Sequence, residues 1–140
     1  MPFTFNLQKI YFNQVKSGDK RIEIRTLKEF KNGVWIDTKF AKTEVGTQYV
    51  VWIDSQTWET ELDAKEQIIV KVVSINKYDS FEECLMHNLE EAFPDLRAKA
   101  MANREDAINE GVDIYRKISD YTEREKYGVI AFDIEIVNEN

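Results

Sequence analysis

Ser17-Gly18-Asp19-Lys20-Arg21-Ile22-Glu23-Ile24-Arg25 is the stretch whose reading decides the fold. Ahead of it Leu7, Ile10, Tyr11 and Val15 recur at helical spacing, which predicts a short helix over residues 8–17. Gly18 is where that helix stops, because glycine enters the left-handed conformation after a helix without a Cβ penalty. Beyond it Arg21, Glu23 and Arg25 alternate with Ile22 and Ile24, the period of a strand with one apolar and one charged face. That strand is predicted over residues 20–27. Glu23 then lies between two guanidinium groups on its own face, with Lys20 at the turn beside it. Such a cluster has two readings. One is a solvated face with ion pairs of about 0–1 kcal/mol each; the other is a charged cleft.

Outward from this point, residues 3–7 alternate weakly and read as a short first strand. Residues 28–46 are polar; Lys31-Asn32-Gly33 reads as a turn, and residues 34–42 as a short helix or an irregular loop. Residues 49–54 are apolar on both faces and predict a central strand. Residues 58–62 and 66–78 are expected to pair as a hairpin across Asp63-Ala64-Lys65; Ile68 to Ile75 is the most β-prone run in the chain. The period then changes. Ser80-Phe81-Glu82-Glu83 is a capping box opening a helix whose face is Phe81, Cys84, Leu85 and Leu89. Pro94 breaks it, Asp95 can cap a new start, and Asn103 can cap a helix with Ala107, Ile108, Gly111, Tyr115 and Ile118 on one face. Thr122-Glu123-Arg124-Glu125 reads as a second capping box, Gly128 as a stop, and Ile130, Phe132, Ile134 and Ile136 as the buried face of a closing strand. Strands, a helical insertion of about forty residues, then a returning strand define an α+β chain. At 140 residues, it reads as a single domain over 1–140.

Charge narrows the function. The net charge of −7 divides into +4 over residues 1–50 and −11 over residues 51–140. Bulk attraction to nucleic acid is therefore excluded, and an anion would be met in a local basic patch, with Lys16, Lys20, Arg21, Arg25, Lys28 and Lys31 as its candidates. A single cysteine, Cys84, excludes an internal disulfide. The longest apolar run, from Tyr49 to Ile53, is too short to span a membrane, and the N-terminus shows no secretory signal. These features lead us to expect a cytoplasmic protein that makes no membrane contact. His87 and Cys84, three apart on one helix, do not complete a metal site, and no phosphate-cradling glycine loop or dinucleotide fingerprint is present. No metal and no organic cofactor are expected.

Gly18, Lys20, Glu23 and Arg25 form G-x-K-x-x-E-x-R, which resembles the signature of the ASCH domain, a branch of the PUA-like superfamily. Val45-Gly46-Thr47 before Tyr49-Val50-Val51-Trp52 resembles the family's V-G-D segment, with Thr47 where an Asp is usual, and Tyr127 to Phe132 resembles its closing strand. The resemblance implies a PUA-like mixed β-barrel of about five to six strands with flanking helices. Ile22 and Ile24 would then point into the barrel, with Arg21, Glu23 and Arg25 on the other face. It also implies RNA, or a nucleoside or nucleotide, as ligand. The residue types suit this. Arginine offers a planar fork to phosphate or a base edge, and a glutamate accepts from the exocyclic amine of cytosine or adenine. Lys20, Arg21, Glu23 and Arg25 are the expected ligand contacts, with Trp58 and Tyr121 as stacking rings.

One ASCH-like branch hydrolyses the amide of acylated cytidine, using a threonine nucleophile three residues after the matching lysine. Glu23 stands at that position here and cannot act as the hydroxyl. Lys20 and Glu23 would be catalytic only if Glu23 served as general base for a water, with Glu90 as a further carboxylate. Three functions remain open from the sequence: a binding module for RNA or a modified nucleoside, a small hydrolase (nucleoside amidohydrolase or ribonuclease) using the same cleft, and a protein-interaction module in which the motif is structural.

Overall fold

The computed structural model describes residues 3–137. Its frame is a five-stranded sheet in the order β1-β5-β6-β7-β2, formed by β1 (Phe3–Leu7), β2 (Ile22–Thr26), β5 (Gln48–Ile53), β6 (Gln67–Tyr78) and β7 (Val129–Ile136). Only β1 and β5 run parallel; the other pairs are antiparallel. A small hairpin of β3 (Lys28–Lys31) and β4 (Val34–Asp37) stands apart from this sheet. The helices are α1 (Lys9–Ser17), α2 (Phe81–Ala92), α3 (Arg97–Ala102), α4 (Arg104–Arg116) and α5 (Tyr121–Glu125).

β6 sets the curvature. Its residues 67–71 pair with β5 and its residues 70–78 with β7, overlapping at Val70 and Lys71, and the register slips at Val72/Ser74. A bulge bends its strand and raises the local twist, so the sheet curls into a half-barrel. The arrangement is mixed α+β with helices packed outside, as the PUA-like resemblance implies.

Each face of the curled sheet has its own core. Inside lie Phe5, Tyr49, Val51, Val70, Val72, Ile130 and Phe132, capped by Phe12 and Val15 of α1. Outside, Ile22, Ile24, Val129 and Ala131 pack against Phe81, Leu85 and Leu89 of α2 and Ile108 and Val112 of α4. β7 is buried on both faces from Val129 to Phe132, as befits a strand between two layers. The approach of α2 to α4 depends on Gly111: a Cβ there would stand 2.8 Å from Leu85 Cδ1.

Several local expectations hold. α1 ends at Gly18 with φ +87°, Ser80 and Asn103 accept the predicted capping bonds from Glu83 N and Asp106 N, and Gly128 has φ +99°. Others need correction. Ile22 and Ile24 are buried, but against the helices and not inside the barrel; Glu23 and Arg25 occupy the concave side, opposite Phe132 and Ile130. The predicted hairpin at residues 58–62 is absent: a 3₁₀ turn, Glu61–Lys65, stands there, and β6 pairs with β5 instead. Residues 34–42 hold strand β4 followed by the 3₁₀ turn Lys39–Lys42. Asp95 lies in a 3₁₀ turn and does not cap α3, whose N-cap is Leu96. Thr122 is inside α5, whose N-cap is Asp120 at φ +69°.

A candidate ligand cleft at the seam of the half-barrel

β1 and β2 are the two edges of the curled sheet, and they face one another without a backbone ladder. Arg25 closes this seam with its side chain: Nη2 donates to Asn6 O at 2.8 Å and to Glu23 Oε2 at 3.2 Å. The guanidinium lies 5.0 Å from the Phe5 ring centre and 4.9 Å from that of Phe40, so it covers the aromatic end of the inner core.

Deeper in, Lys20 is only 3% exposed and Glu23 only 4%. The chain enters β2 tightly held, with Lys20 N donating to Gln14 O and Arg21 N to Glu91 O. That places the Lys20 ammonium where Nζ donates to Ile22 O and Ala92 O, both at 2.8 Å, with Glu23 Oε1 3.6 Å away as counter-ion. The rings of Tyr11 and Phe93 flank it at 5.8 and 5.6 Å. Ala92 ends α2, so the buried cation also sits where the carbonyls of a helix terminus concentrate partial negative charge.

Burial works against the Glu23 carboxylate, but the charges of Lys20 and Arg25 and the Ile24 N–H bond outweigh it and hold the carboxyl below the usual range. Burial pushes the Lys20 ammonium the other way, below the ordinary lysine value, with the Glu23 charge opposing. Tyr115 is raised well above the ordinary phenol, first by burial and then by the negative charge of Glu23.

Above this triad opens a cleft of about 170 Å³. Lys20, Glu23 and Arg25 line it with Asn6 and Asp54 from the strand ends and with the rings of Tyr11, Phe93, Tyr115 and Tyr121. An apolar cavity of about 150 Å³ accepts a benzene ring, so the volume suits one planar heterocycle. A carboxylate has about four acceptor directions. Two of those on Glu23 take Ile24 N and Arg25 Nη2, leaving capacity for a further donor.

The structure thus brings together Lys20, Glu23, Arg25 and Tyr121 of the residues singled out by sequence, and leaves the others outside the cleft. Arg21 precedes β2, and its exposed side chain borders a different groove with His87, Glu91 and Asp133. It lies one residue before β2, its N–H held by Glu91 O and its carbonyl by Ile134 N, and its side chain does not join Glu23. Trp58 is 46% exposed and donates from Nε1 to Ile53 O, away from the cleft lining. Glu90 pairs with Arg104 on the helical flank. The basic patch also disperses: Lys16 pairs with Glu66 and Lys28 with Asp37. Asn6, Tyr11, Asp54, Phe93 and Tyr115 were not singled out as site residues. Tyr11 and Tyr115 were visible only as members of apolar helix faces. Among the described residues no group of three His, Cys, Asp or Glu is placed to hold a metal, and no helix is long and apolar enough to cross a membrane.

The family model of the ASCH domain matches residues 5–138. Among solved structures, the crystal structure of hypothetical protein PH0355 is similar at 29% identity and a TM-score of 0.67, covering 98% of this chain and 100% of that one. The solution NMR structure of protein PF0455 from Pyrococcus furiosus is similar at 26% identity and a TM-score of 0.62, covering 99% and 100%. No curated protein matches the sequence.

Proposed function

The chain belongs to the ASCH domain family of the PUA-like superfamily, and from that membership we propose that the cleft binds one base of RNA or of a modified nucleoside. The observation that carries this reading is Glu23: a buried carboxylate, ionised at neutral pH by two fixed cations, with acceptor capacity left on the floor of a ring-sized cleft. A base presenting an exocyclic amine, cytosine or adenine, supplies the matching donor. The rings of Tyr11, Phe93 and Tyr121 supply apolar walls for its faces. Lys20 acts through Glu23: two backbone carbonyls and a counter-ion occupy its ammonium, so it sets the charge of the floor and leaves ligand contact to Glu23 and Arg25.

The same electrostatics weigh against hydrolysis with Glu23 as general base. A carboxyl held below its ordinary range is a weak proton acceptor, and proton transfer is most effective near the working pH. The interaction-module reading leaves the ring-lined cleft without a role.

The test is calorimetric titration of wild type and Glu23→Gln with cytidine, adenosine, uridine, their acylated derivatives and short RNAs. Amino-bearing bases should bind better than uridine, and Glu23→Gln should weaken them by about 1–3 kcal/mol, the range for losing a charged hydrogen-bond partner. Indifference to both the base and the substitution would refute the assignment. Turnover of an acylated nucleoside that Glu23→Gln abolishes would transfer the site to the hydrolase reading.

A further inference from the structure

Beside the cleft runs a second groove, of about 320 Å³, lined by Arg25, Glu29, Lys39, Phe40, Tyr121 and Arg124. Arg25 and Tyr121 belong to both, so the two hollows share a wall. Its three cations come from segments far apart in sequence: β2, the 3₁₀ turn Lys39–Lys42, and α5. Thr38 pins that turn to β2, its hydroxyl donating to Thr26 O at 2.7 Å and its N–H to Leu27 O at 2.9 Å. Lys39 packs 5.4 Å from the Phe40 ring centre and donates to Thr4 O. Burial and then the Arg25 charge hold its ammonium below the ordinary lysine value. The Arg124 guanidinium lies 5.1 Å from the Tyr121 ring centre.

Two features of Lys39 and Arg124 bear on what the groove could hold. Among the described residues neither Lys39 nor Arg124 has a carboxylate within ion-pair distance, in a protein whose net charge is −7. Arg124 Nε is buried and, among the described residues, has no hydrogen-bond acceptor. A buried donor without an acceptor is uncommon in folded proteins and costs free energy until something accepts from it. Like charges gathered round a groove repel, and an anion in it relieves that repulsion.

We propose that this groove is a phosphate subsite formed by Arg25, Lys39 and Arg124, so that the ligand is a nucleotide unit whose base enters the cleft and whose phosphate lies in the groove. The proposal rests on the base-binding reading for the cleft, but it can fail or stand separately. The arginine forks present paired N–H donors to phosphate oxygens, and Lys39 adds a point charge. Glu29, the one carboxylate in the lining, disfavours deep burial of a fully ionised monoester and suits the single charge of a phosphodiester.

The experiment titrates wild type and the Lys39→Gln/Arg124→Gln double variant with inorganic phosphate, cytidine, cytidine monophosphates and oligocytidylate. Calorimetry gives affinity, and NMR follows the Arg124 Nε–H resonance. The double variant leaves Lys20, Glu23 and Arg25 in place. Phosphate-bearing ligands should bind wild type about tenfold or more tighter than cytidine, as charge-assisted bonds allow. That advantage should shrink with salt and disappear in the double variant while cytidine affinity stays. Equal gain from an internal diester identifies an RNA strand; gain from monoesters alone identifies a free nucleotide, and both support the subsite. Should inorganic phosphate shift Arg124 Nε–H while cytidine fails to bind, the subsite stands and the base reading falls. If cytidine binds but phosphate adds nothing, or the gain survives in the double variant, the subsite is overturned. Absence of any phosphate effect on Arg124 overturns it as well.

Discussion

Lys20→Met tests the buried triad as a structural element before any ligand is considered. Methionine keeps most of the apolar stem and fits between Tyr11 and Phe93, so packing changes little. What is lost is the ammonium: two 2.8 Å bonds to Ile22 O and Ala92 O and the counter-ion of Glu23 at 3.6 Å. The two carbonyls lose a charged donor, and Glu23, 4% exposed, keeps only Arg25 and the Ile24 N–H. Replacing both members of a buried pair with apolar groups is often tolerated, but removing one strands the other and costs about 3–5 kcal/mol. With a urea slope near 2 kcal/mol/M for a domain of this size, the unfolding midpoint should fall by about 1.5–2.5 M at pH 7. The loss should shrink near pH 4, because Glu23 without Lys20 takes up a proton more readily and an uncharged carboxyl is cheaper to bury. Glu23→Gln in the Lys20→Met background should cost less than it does alone, a coupling visible in a double-mutant cycle. Urea unfolding followed by far-UV circular dichroism supplies every quantity. A loss below about 1 kcal/mol at pH 7, or one unchanged by acid, would refute the view that Lys20 is the obligatory counter-ion of a buried carboxylate.

Because the folded-state pKa of Glu23 is depressed, its contribution to stability is present above the ordinary glutamate pKa of about 4.3 and is lost as pH falls through the folded value. Glu23→Gln should therefore flatten the acid side of the stability–pH profile, and an unchanged acid limb in urea unfolding would contradict the assignment. Gly111→Ala gains about 1 kcal/mol of helix propensity, but its Cβ meets Leu85 Cδ1 at 2.8 Å in a fully packed core, and overpacking costs about 1–3 kcal/mol. A net loss in thermal unfolding is expected, and a gain would show that α2 and α4 can separate freely. The Cys84 thiol is buried, and burial raises its pKa to about 12. It should resist Ellman's reagent in the folded state and react fully in urea; rapid labelling of the native protein would mean that α2 opens.

Short-range physics made much of this protein legible from its residues. Helix stops at Gly18 and Gly128, caps at Ser80 and Asn103, and the alternation through Ile22 and Ile24 depend on neighbours a few positions away. The G-x-K-x-x-E-x-R run also placed Lys20, Glu23 and Arg25 in one neighbourhood, since a helix end and a strand start leave them nowhere else to go. Alternation could not say which layer each face would meet. A period of two separates the faces of a strand, but both faces of β2 are buried, so the isoleucines went to the helices and the charged pair to the barrel side. The hairpin of β3 and β4 hid in a polar stretch because it buries little and its turn, Asn32-Gly33, carries most of its signal. Only the tertiary structure makes Tyr115, Lys39 and Arg124 part of the cleft and groove. Each lies on a segment ordinary in sequence, and they meet at the cleft and groove because the curled sheet brings β1 and β2 together and the returning chain lays α4 and α5 across that seam.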